Sequence, residues 1–222
     1  MITEWGRRHL KVILEPIAGA FRALHITPNV ITLLGFLLNL GVAYLIIIDQ
    51  IFWAGVVFLV AAGADAIDGT LARQLGVRNK FGAFWDSTLD RLSESFVLMA
   101  MGYYFAVRGE PLYVMAAFLA LIASFLVSYT RARGEGLGVD VKVGIGTRVE
   151  RFIVTALALL FNQLLIGLLV IMVLAGITVL QRMWVVYKIT HEMAAAEAEA
   201  EARQAAKAAM RAEESSAEPS ST

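Results

Sequence analysis

Long apolar stretches separated by short polar breaks run through most of the chain. Residues 30–48 form one stretch of bilayer-spanning length, and Thr27, Pro28 and Asn29 before it make a helix start signal. Residues 51–75, 82–107 and 111–130 predict three further spans, although the second and third carry acidic residues toward one end. The pattern therefore predicts at least four membrane helices.

The stretch 152–180 is either one overlong helix or two helices that turn at Asn162 and Gln163. Two helices give six spans and, with a cytoplasmic N-terminus, leave Arg108 as the one cation outside the cell. Five spans would place Arg182 and Lys188 outside as well. Charge placement therefore favours an all-α integral protein of the plasma membrane with six transmembrane helices and both termini cytoplasmic.

The segments that flank the spans differ from them in character. Residues 1–26 mix basic residues with spaced apolar ones, which predicts an amphipathic interfacial helix; an ordinary leader before the first span is the alternative. Residues 191–222 predict a cytoplasmic charged helix and a disordered tail without chemistry. A six-helix membrane domain at 27–190 lies between them.

Composition agrees with a protein that has the bilayer as its solvent. Hydrophobic residues make up 59% of the chain and charged residues 17%. The formal net charge of zero provides no basic field for nucleic acid, so no nucleic-acid partner is expected. The absence of cysteine excludes disulfides, thiolate metal sites and cysteine nucleophiles.

An acidic cluster lies where the second and third spans approach the cytoplasmic side. Asp65 and Asp68 are three residues apart and Asp86 and Asp90 are four apart, so each pair occupies one helix face. The short turn between the spans makes the two helices antiparallel neighbours. The four carboxylates are therefore expected to converge.

Carboxylates inside a membrane are costly, at about 2.5–3.5 kcal/mol each at a helix centre. Divalent cations relieve both desolvation and mutual repulsion, and an all-aspartate site suits Mg²⁺, Mn²⁺ or Ca²⁺ better than zinc. Such ions bind phosphate esters or anhydrides.

The alternative, that the acids only pair with Arg73 and Arg91, leaves four aspartates balanced by two arginines. A transporter is a further alternative, but its acids would be spread through the membrane depth.

The residues around this cluster resemble the signature of the CDP-alcohol phosphotransferase family. The match is Asp65-x-x-Asp68-Gly69-x-x-Ala72-Arg73, then Gly82, Asp86 and Asp90 at fixed spacing. The resemblance implies transfer of a phosphatidyl group from CDP-diacylglycerol to an alcohol with release of CMP. It also implies six transmembrane helices, an N-terminal interfacial helix and a homodimer.

Roles for single residues follow from the same resemblance. Asp65, Asp68, Asp86 and Asp90 would bind two Mg²⁺ or Mn²⁺ ions, and Asp90 would also be the general base. The CDP end of the donor lipid would be lined by Pro28, Asn29, Thr32, Gly69, Arg73 and Gly82. For Pro28, Asn29 and Thr32, simple helix-start chemistry is the alternative.

A second cationic group follows between residues 128 and 152, joined by Arg182 near the end of the last span. Arginine forks hold phosphate oxygens, so an acceptor that itself carries phosphate is expected. The alternative is that these charges only orient the inner loops. This explains Arg182 poorly, because a lone arginine in an apolar run usually has a partner.

The segments 128–136 and 147–151 resemble those of prokaryotic phosphatidylinositol phosphate synthases, which implies inositol 1-phosphate as acceptor. The residues carried over to its phosphate are Ser128, Arg131, Arg148, Arg151 and Arg182. Arg131 stands where such enzymes often have lysine, and Gly134 where they often have alanine. Glycerol 3-phosphate as acceptor and the archaeal ether-lipid version of the inositol phosphate enzyme remain alternatives.

Overall fold

The computed structural model describes residues 27–75 and 80–217, together with Pro16 and Gly19. Apart from those two positions, the interfacial helix predicted for residues 1–26 lies outside the described residues. The described chain is all-helical, without strands, as predicted. Its helices are α1 (Pro28–Ile47), α2 (Ile51–Leu75), α3 (Lys80–Ala106), α4 (Pro111–Gly136), α5 (Arg148–Leu160) and α6 (Leu164–Ala217).

Three segments of the described chain are long and apolar enough to cross a membrane: α1, α4 and the Leu164–Gln204 part of α6. In α2 the apolar part, Ile51–Asp65, is shorter. Helix α5 has 13 residues and so a length of about 20 Å. The structure thus confirms helices of membrane character, whereas the count of six spans stays a prediction.

The stretch 152–180 contains two helices, as charge placement predicted. Helix α5 ends at Leu160, and the backbone N–H of Gln163 donates to the Ala158 carbonyl over 2.7 Å to close the turn. Asn162 takes a left-handed conformation there, with φ of 53°. Asparagine tolerates this conformation better than most residues, which explains why the helix breaks at this point.

The helices close into a ring. Helix α1 packs against α2 and α3, α3 also packs against α4, α4 against α6, α6 against α5, and α5 against α2. Buried apolar side chains fill the space between them, including Val42, Ile46, Met101 and Leu168. The ring leaves room for a cavity between α1, α2, α3 and α5.

Many large apolar side chains point away from the ring. Tyr44, Trp53, Phe118 and Phe161 are each more than half exposed. So broad an apolar exterior exceeds what water-soluble monomers present. The exterior therefore fits contact with lipid, and the chain is a membrane protein.

Hydrogen bonds hold the segment 137–147, between α4 and α5, against α6. The backbone N–H of Gly146 donates to Thr178 Oγ1 over 2.8 Å. Arg182 donates from Nε to the Val143 carbonyl over 2.9 Å, and from Nη1 to the Val127 carbonyl. These bonds fix the segment that leads directly into Arg148 at the start of α5.

Replacing Gly146 by alanine is expected to destabilise the fold. The added Cβ would lie 2.5 Å from the backbone carbonyl of Leu174, so either the segment or α6 must shift. Overpacking of this kind costs about 1–3 kcal/mol. Thermal unfolding in detergent should show a lower midpoint for Gly146→Ala. The matched control Gly176→Ala, whose Cβ would meet nothing within 4 Å, should unfold near the wild-type temperature.

Candidate active site

Three of the predicted aspartates meet at one point of the bundle. Asp65 comes from α2, and Asp86 and Asp90 come from successive turns of α3. One carboxylate oxygen from each lies within 4.8 Å of the other two. The convergence expected from the spacing is thus observed for these three. The side chains of Asp68, Gly69 and Arg73, by contrast, lie outside the described residues.

Arg148 joins two of these aspartates across the cavity. Its Nη2 donates to Asp65 Oδ1 over 3.1 Å and to Asp90 Oδ1 over 2.5 Å. The Asp90 side chain is 12% exposed, while that of Arg148 is half exposed. Arg91 is a weaker partner, since its Nη1 lies 3.9 Å from Asp90 Oδ2 and donates to the Ser87 carbonyl.

The positive charges of Arg148 and Arg91 do not satisfy the whole acidic cluster, as Asp86 shows. Its Oδ1 is buried and has no hydrogen-bond partner among the described residues. A buried carboxylate oxygen without a donor is costly, and a second cation would remove that cost. Hard carboxylate oxygens are the ligands that Mg²⁺ and Mn²⁺ prefer. The described residues therefore fit a divalent metal ion, held by Asp65, Asp86 and Asp90.

A cavity of about 240 Å³ opens beside the aspartates. Asp65, Asp90 and Arg148 lie on its wall, and Asn39, Ser93 and Glu94 add further polar groups. Its apolar wall includes Phe58 and Phe152, whose rings stack with centroids 4.7 Å apart. The cavity thus offers a charged end for a phosphorylated group beside an apolar interior.

The residues predicted for the CDP end of the donor lie at the start of α1, on α2 and on α3. Pro28 is the first residue of α1, and its carbonyl accepts a hydrogen bond from Thr32 Oγ1 over 3.0 Å. Thr32 also lines the cavity. Gly82 lies on α3 four residues before Asp86. The Thr32 hydroxyl thus makes a back-bond to the carbonyl four residues earlier in α1 and does not cap the helix start, while Thr32 also lies on the cavity wall.

The residues predicted for the acceptor phosphate are placed in different surroundings. Arg148 contacts the aspartates, whereas the exposed Arg131 pairs with Glu135 over 2.9 Å. Arg151 and Arg182 are each 3% exposed and engage other partners. Ser128 is half-buried on α4. The structure thus brings one arginine of the predicted set together with the acidic cluster.

Glu94 was not among the residues singled out from the sequence, yet both its carboxylate oxygens bind Arg151. A signal for it exists in the sequence. Glu94 continues the four-residue spacing of Asp86 and Asp90 along one face of α3. This spacing alone does not identify a partner, because nothing in the sequence shows which arginine lies opposite Glu94.

The family model of CDP-alcohol phosphatidyltransferase matches residues 25–184. The chain belongs to this family. The matched range contains all four aspartates of the signature and the five residues predicted for the acceptor phosphate. As a CDP-alcohol phosphatidyltransferase the chain is a transferase, which sets aside the transporter alternative.

Among the relatives of this chain are synthases of inositol phosphate lipids. The archaetidylinositol phosphate synthase of Pyrococcus horikoshii is 40% identical over 179 residues, covering 80% of this chain and 93% of the relative. The phosphatidylinositol phosphate synthase of Corynebacterium glutamicum is 37% identical over 162 residues, covering 72% and 74%.

A solved structure also resembles this CDP-alcohol phosphatidyltransferase. Mycobacterium tuberculosis phosphatidylinositol phosphate synthase with CDP-DAG bound has 29% identity and a TM-score of 0.74, covering 79% of this chain and 94% of that one. The same synthase in complex with manganese and citrate has a TM-score of 0.72. A divalent cation is thus present in a structure similar to this one.

Asp86→Asn is expected to weaken metal binding, because Asp86 contributes the buried oxygen that lacks a donor. The loss should be at least tenfold in Mn²⁺ affinity, on the order of one lost charge–charge contact. Titration of Mn²⁺ followed by electron paramagnetic resonance measures it without turnover. Asp49→Asn removes an equal charge from the turn between α1 and α2, where Asp49 pairs with Arg108, and should leave the affinity unchanged. Equal affinities in all three proteins would contradict the assignment.

Proposed function

We propose that this transferase moves the phosphatidyl group of CDP-diacylglycerol onto inositol 1-phosphate, releasing CMP and forming phosphatidylinositol phosphate. The observation that carries the proposal is that Arg148, whose guanidinium group suits phosphate oxygens, contacts Asp65 and Asp90 on the cavity wall. The inositol phosphate lipid synthases among the relatives support the choice of acceptor.

The donor is held at its pyrophosphate. Asp65, Asp68, Asp86 and Asp90 hold two Mg²⁺ or Mn²⁺ ions, which when bound supply charge neutralisation at the donor phosphates and at departing CMP. The CDP end lies against a set of residues at the start of α1 and along α2 and α3. This set consists of Pro28, Asn29, Thr32, Gly69, Arg73 and Gly82.

Asp90 takes the proton of the attacking hydroxyl. Its side chain lies on the cavity wall and is largely buried, so the carboxylate is held at a fixed place. The hydroxyl oxygen of the acceptor bonds to the lipid-side phosphorus while the bond from that phosphorus to CMP breaks. Direct attack of this kind needs no covalent intermediate on the protein.

The acceptor phosphate binds Arg148, which faces the cavity. The residues assigned to the acceptor phosphate also include Ser128, Arg131, Arg151 and Arg182. The guanidinium groups of Arg151 and Arg182 hold the backbone carbonyls of Gly146, Val143 and Val127, and Arg151 also pairs with Glu94. Several cations around one phosphate increase the preference for a phosphorylated alcohol over a neutral or cationic one.

The same proposal includes the topology. Six spans with both termini cytoplasmic would place the aspartates and Arg148 toward the cytoplasmic side of the plasma membrane, where a water-soluble acceptor is available. The turns at Asp49, Gly109 and Asn162 would then face outward. A homodimer completes the proposal, on the strength of the family resemblance.

An ether-lipid donor is a second candidate, favoured by the archaeal relative at 40% identity. The structure similar to this one that holds CDP-DAG favours the ester lipid. Both donors share the CDP headgroup and therefore the same aspartate cluster. Direct competition of the two donors for the purified enzyme distinguishes them.

CMP release from CDP-diacylglycerol by purified enzyme should require Mg²⁺ or Mn²⁺ and should be fastest with inositol 1-phosphate. A panel with glycerol 3-phosphate, inositol and serine measures the preference through kcat/KM. Faster turnover with glycerol 3-phosphate would replace the acceptor but keep the reaction. Equal rates with inositol would reject a phosphate-binding role for Arg148, and no CMP release with any acceptor would reject the proposed reaction.

Asp90→Asn should reduce kcat by about 10²–10⁴-fold, because the attacking hydroxyl loses its proton acceptor. Donor binding should largely survive, since Asp65 and Asp86 still converge. Turnover and equilibrium binding of CDP-diacylglycerol measure the two effects separately. Asp140→Asn, an exposed aspartate paired with Lys142, is the matched control and should keep full activity. Full activity in Asp90→Asn would exclude Asp90 as the base.

A further inference from the structure

Two ion pairs connect α3 to α5 across the cavity, one helical turn apart. On α3, Asp90 and Glu94 are four residues apart and both lie on the cavity wall. On α5, Arg148 and Arg151 are three residues apart and so share a face. Arg148 pairs with Asp90, and Arg151 pairs with Glu94. The two ion pairs therefore lie side by side between the same two helices.

The Glu94–Arg151 pair has two hydrogen bonds, whereas the Asp90–Arg148 pair has one. Arg151 donates from Nε to Glu94 Oε1 over 2.6 Å and from Nη2 to Glu94 Oε2 over 2.9 Å, which makes a two-pronged fork. Arg151 is 3% exposed. Planar, doubly bonded pairs of this kind fix both distance and orientation. The Glu94–Arg151 pair thus fixes how α5 lies relative to α3.

Arg151 also holds the segment before α5. Its Nη1 donates to the carbonyl of Gly146 over 2.9 Å. Gly146 is two residues before Arg148, so one guanidinium fixes both sides of Arg148 in the chain. The backbone N–H of the same glycine donates to Thr178 Oγ1 of α6.

Backbone packing does not hold α5 against α3. In the described chain, α5 packs closely against α2 and α6, while α3 lies on the far side of the cavity. Long side chains therefore bridge a space that apolar packing leaves open. A change in the Glu94–Arg151 pair is therefore expected to shift Arg148 relative to α3.

We propose that Glu94 is a positioning residue that, through Arg151, sets the place of Arg148 at Asp65 and Asp90. This inference rests on the proposed function, in which Arg148 binds the acceptor phosphate. Misplacement of a binding group by about 1 Å can reduce a rate by roughly 10²-fold. Glu94 thus contributes to the reaction without itself contacting the reacting atoms.

Glu94→Gln tests the proposal because it keeps the size of the side chain and loses its charge and one acceptor oxygen. The KM for the acceptor should rise and kcat should fall, lowering kcat/KM for the acceptor by roughly 10–100-fold. The KM for the donor should stay within about twofold of wild type, a split that general loss of stability would not produce. Glu192→Gln, an exposed glutamate that pairs with Lys188, is the matched control.

The same variant in an Arg148→Ala background distinguishes action through Arg148 from any other effect. If Glu94 works through Arg148, then Glu94→Gln should cost almost nothing once Arg148 is absent. Full additivity of the two losses would overturn the proposal. If Glu94→Gln does not yield folded protein, Glu94→Asp, which keeps the charge and shortens the reach, takes its place in the cycle.

Titration of Mn²⁺ followed by electron paramagnetic resonance provides a measurement that does not depend on turnover. Arg148 and the cation compete for the oxygens of Asp65 and Asp90, so Arg148→Ala should tighten Mn²⁺ binding by about fivefold or more. Glu94→Gln should shift the affinity in the same direction, and the double variant should match Arg148→Ala. An affinity of Glu94→Gln equal to wild type, beside a shift in Arg148→Ala, would overturn the proposal. If the wild type turns over no acceptor, the proposed function fails while this titration still decides the role of Glu94.

Discussion

Repulsion among clustered carboxylates inside an apolar bundle is the constraint from which the rest of the site follows. Asp65, Asp86 and Asp90 bring oxygens within 4.8 Å of one another, and such a cluster is stable only with cations beside it. Arg148 supplies one charge, and in the part of the chain that the structure describes Asp86 Oδ1 still has no donor. The packing of the helices therefore has to place Arg148 of α5 beside the aspartates and still leave space for a divalent ion.

The acidic half of the site could be predicted from sequence because helical periodicity determines it. Spacings of three and four residues place the aspartates on helix faces, as predicted. The prediction that the short connection makes α2 and α3 packed neighbours is not met in the described chain, where each packs closely against α1 instead. The turn at Asn162 is predicted by a different signal, the excess of lysine and arginine on one side of the membrane. The structure confirms the convergence of the three described aspartates and the turn between α5 and α6.

The cationic half could not be separated into roles from sequence, because those roles depend on tertiary packing. Arg148, Arg151 and Arg182 look alike as basic residues of an inner segment. Only the approach of α5 to α3 shows that Arg151 meets Glu94, and only the path of residues 137–147 shows that Arg182 meets the carbonyls of Val127 and Val143. A buried guanidinium needs such partners, since an unpaired buried charge is strongly destabilising.

The order of side chains along α3 explains why two dissimilar substrates can meet at one end of the bundle. Asp86, Asp90 and Glu94 follow one another at intervals of about 6 Å, and apolar residues continue the same face. On α2, Phe58 lies about 10 Å from Asp65 and stacks with Phe152 of α5. The charged groups of the cavity wall, Asp65, Asp90, Glu94 and Arg148, thus cluster together, and the stacked rings of Phe58 and Phe152 contribute an apolar part of the wall. Under the proposed function, the phosphate of the acceptor and the CDP end of the donor would both be stabilised at this charged end, because the apolar part of the wall offers no partner for a phosphate.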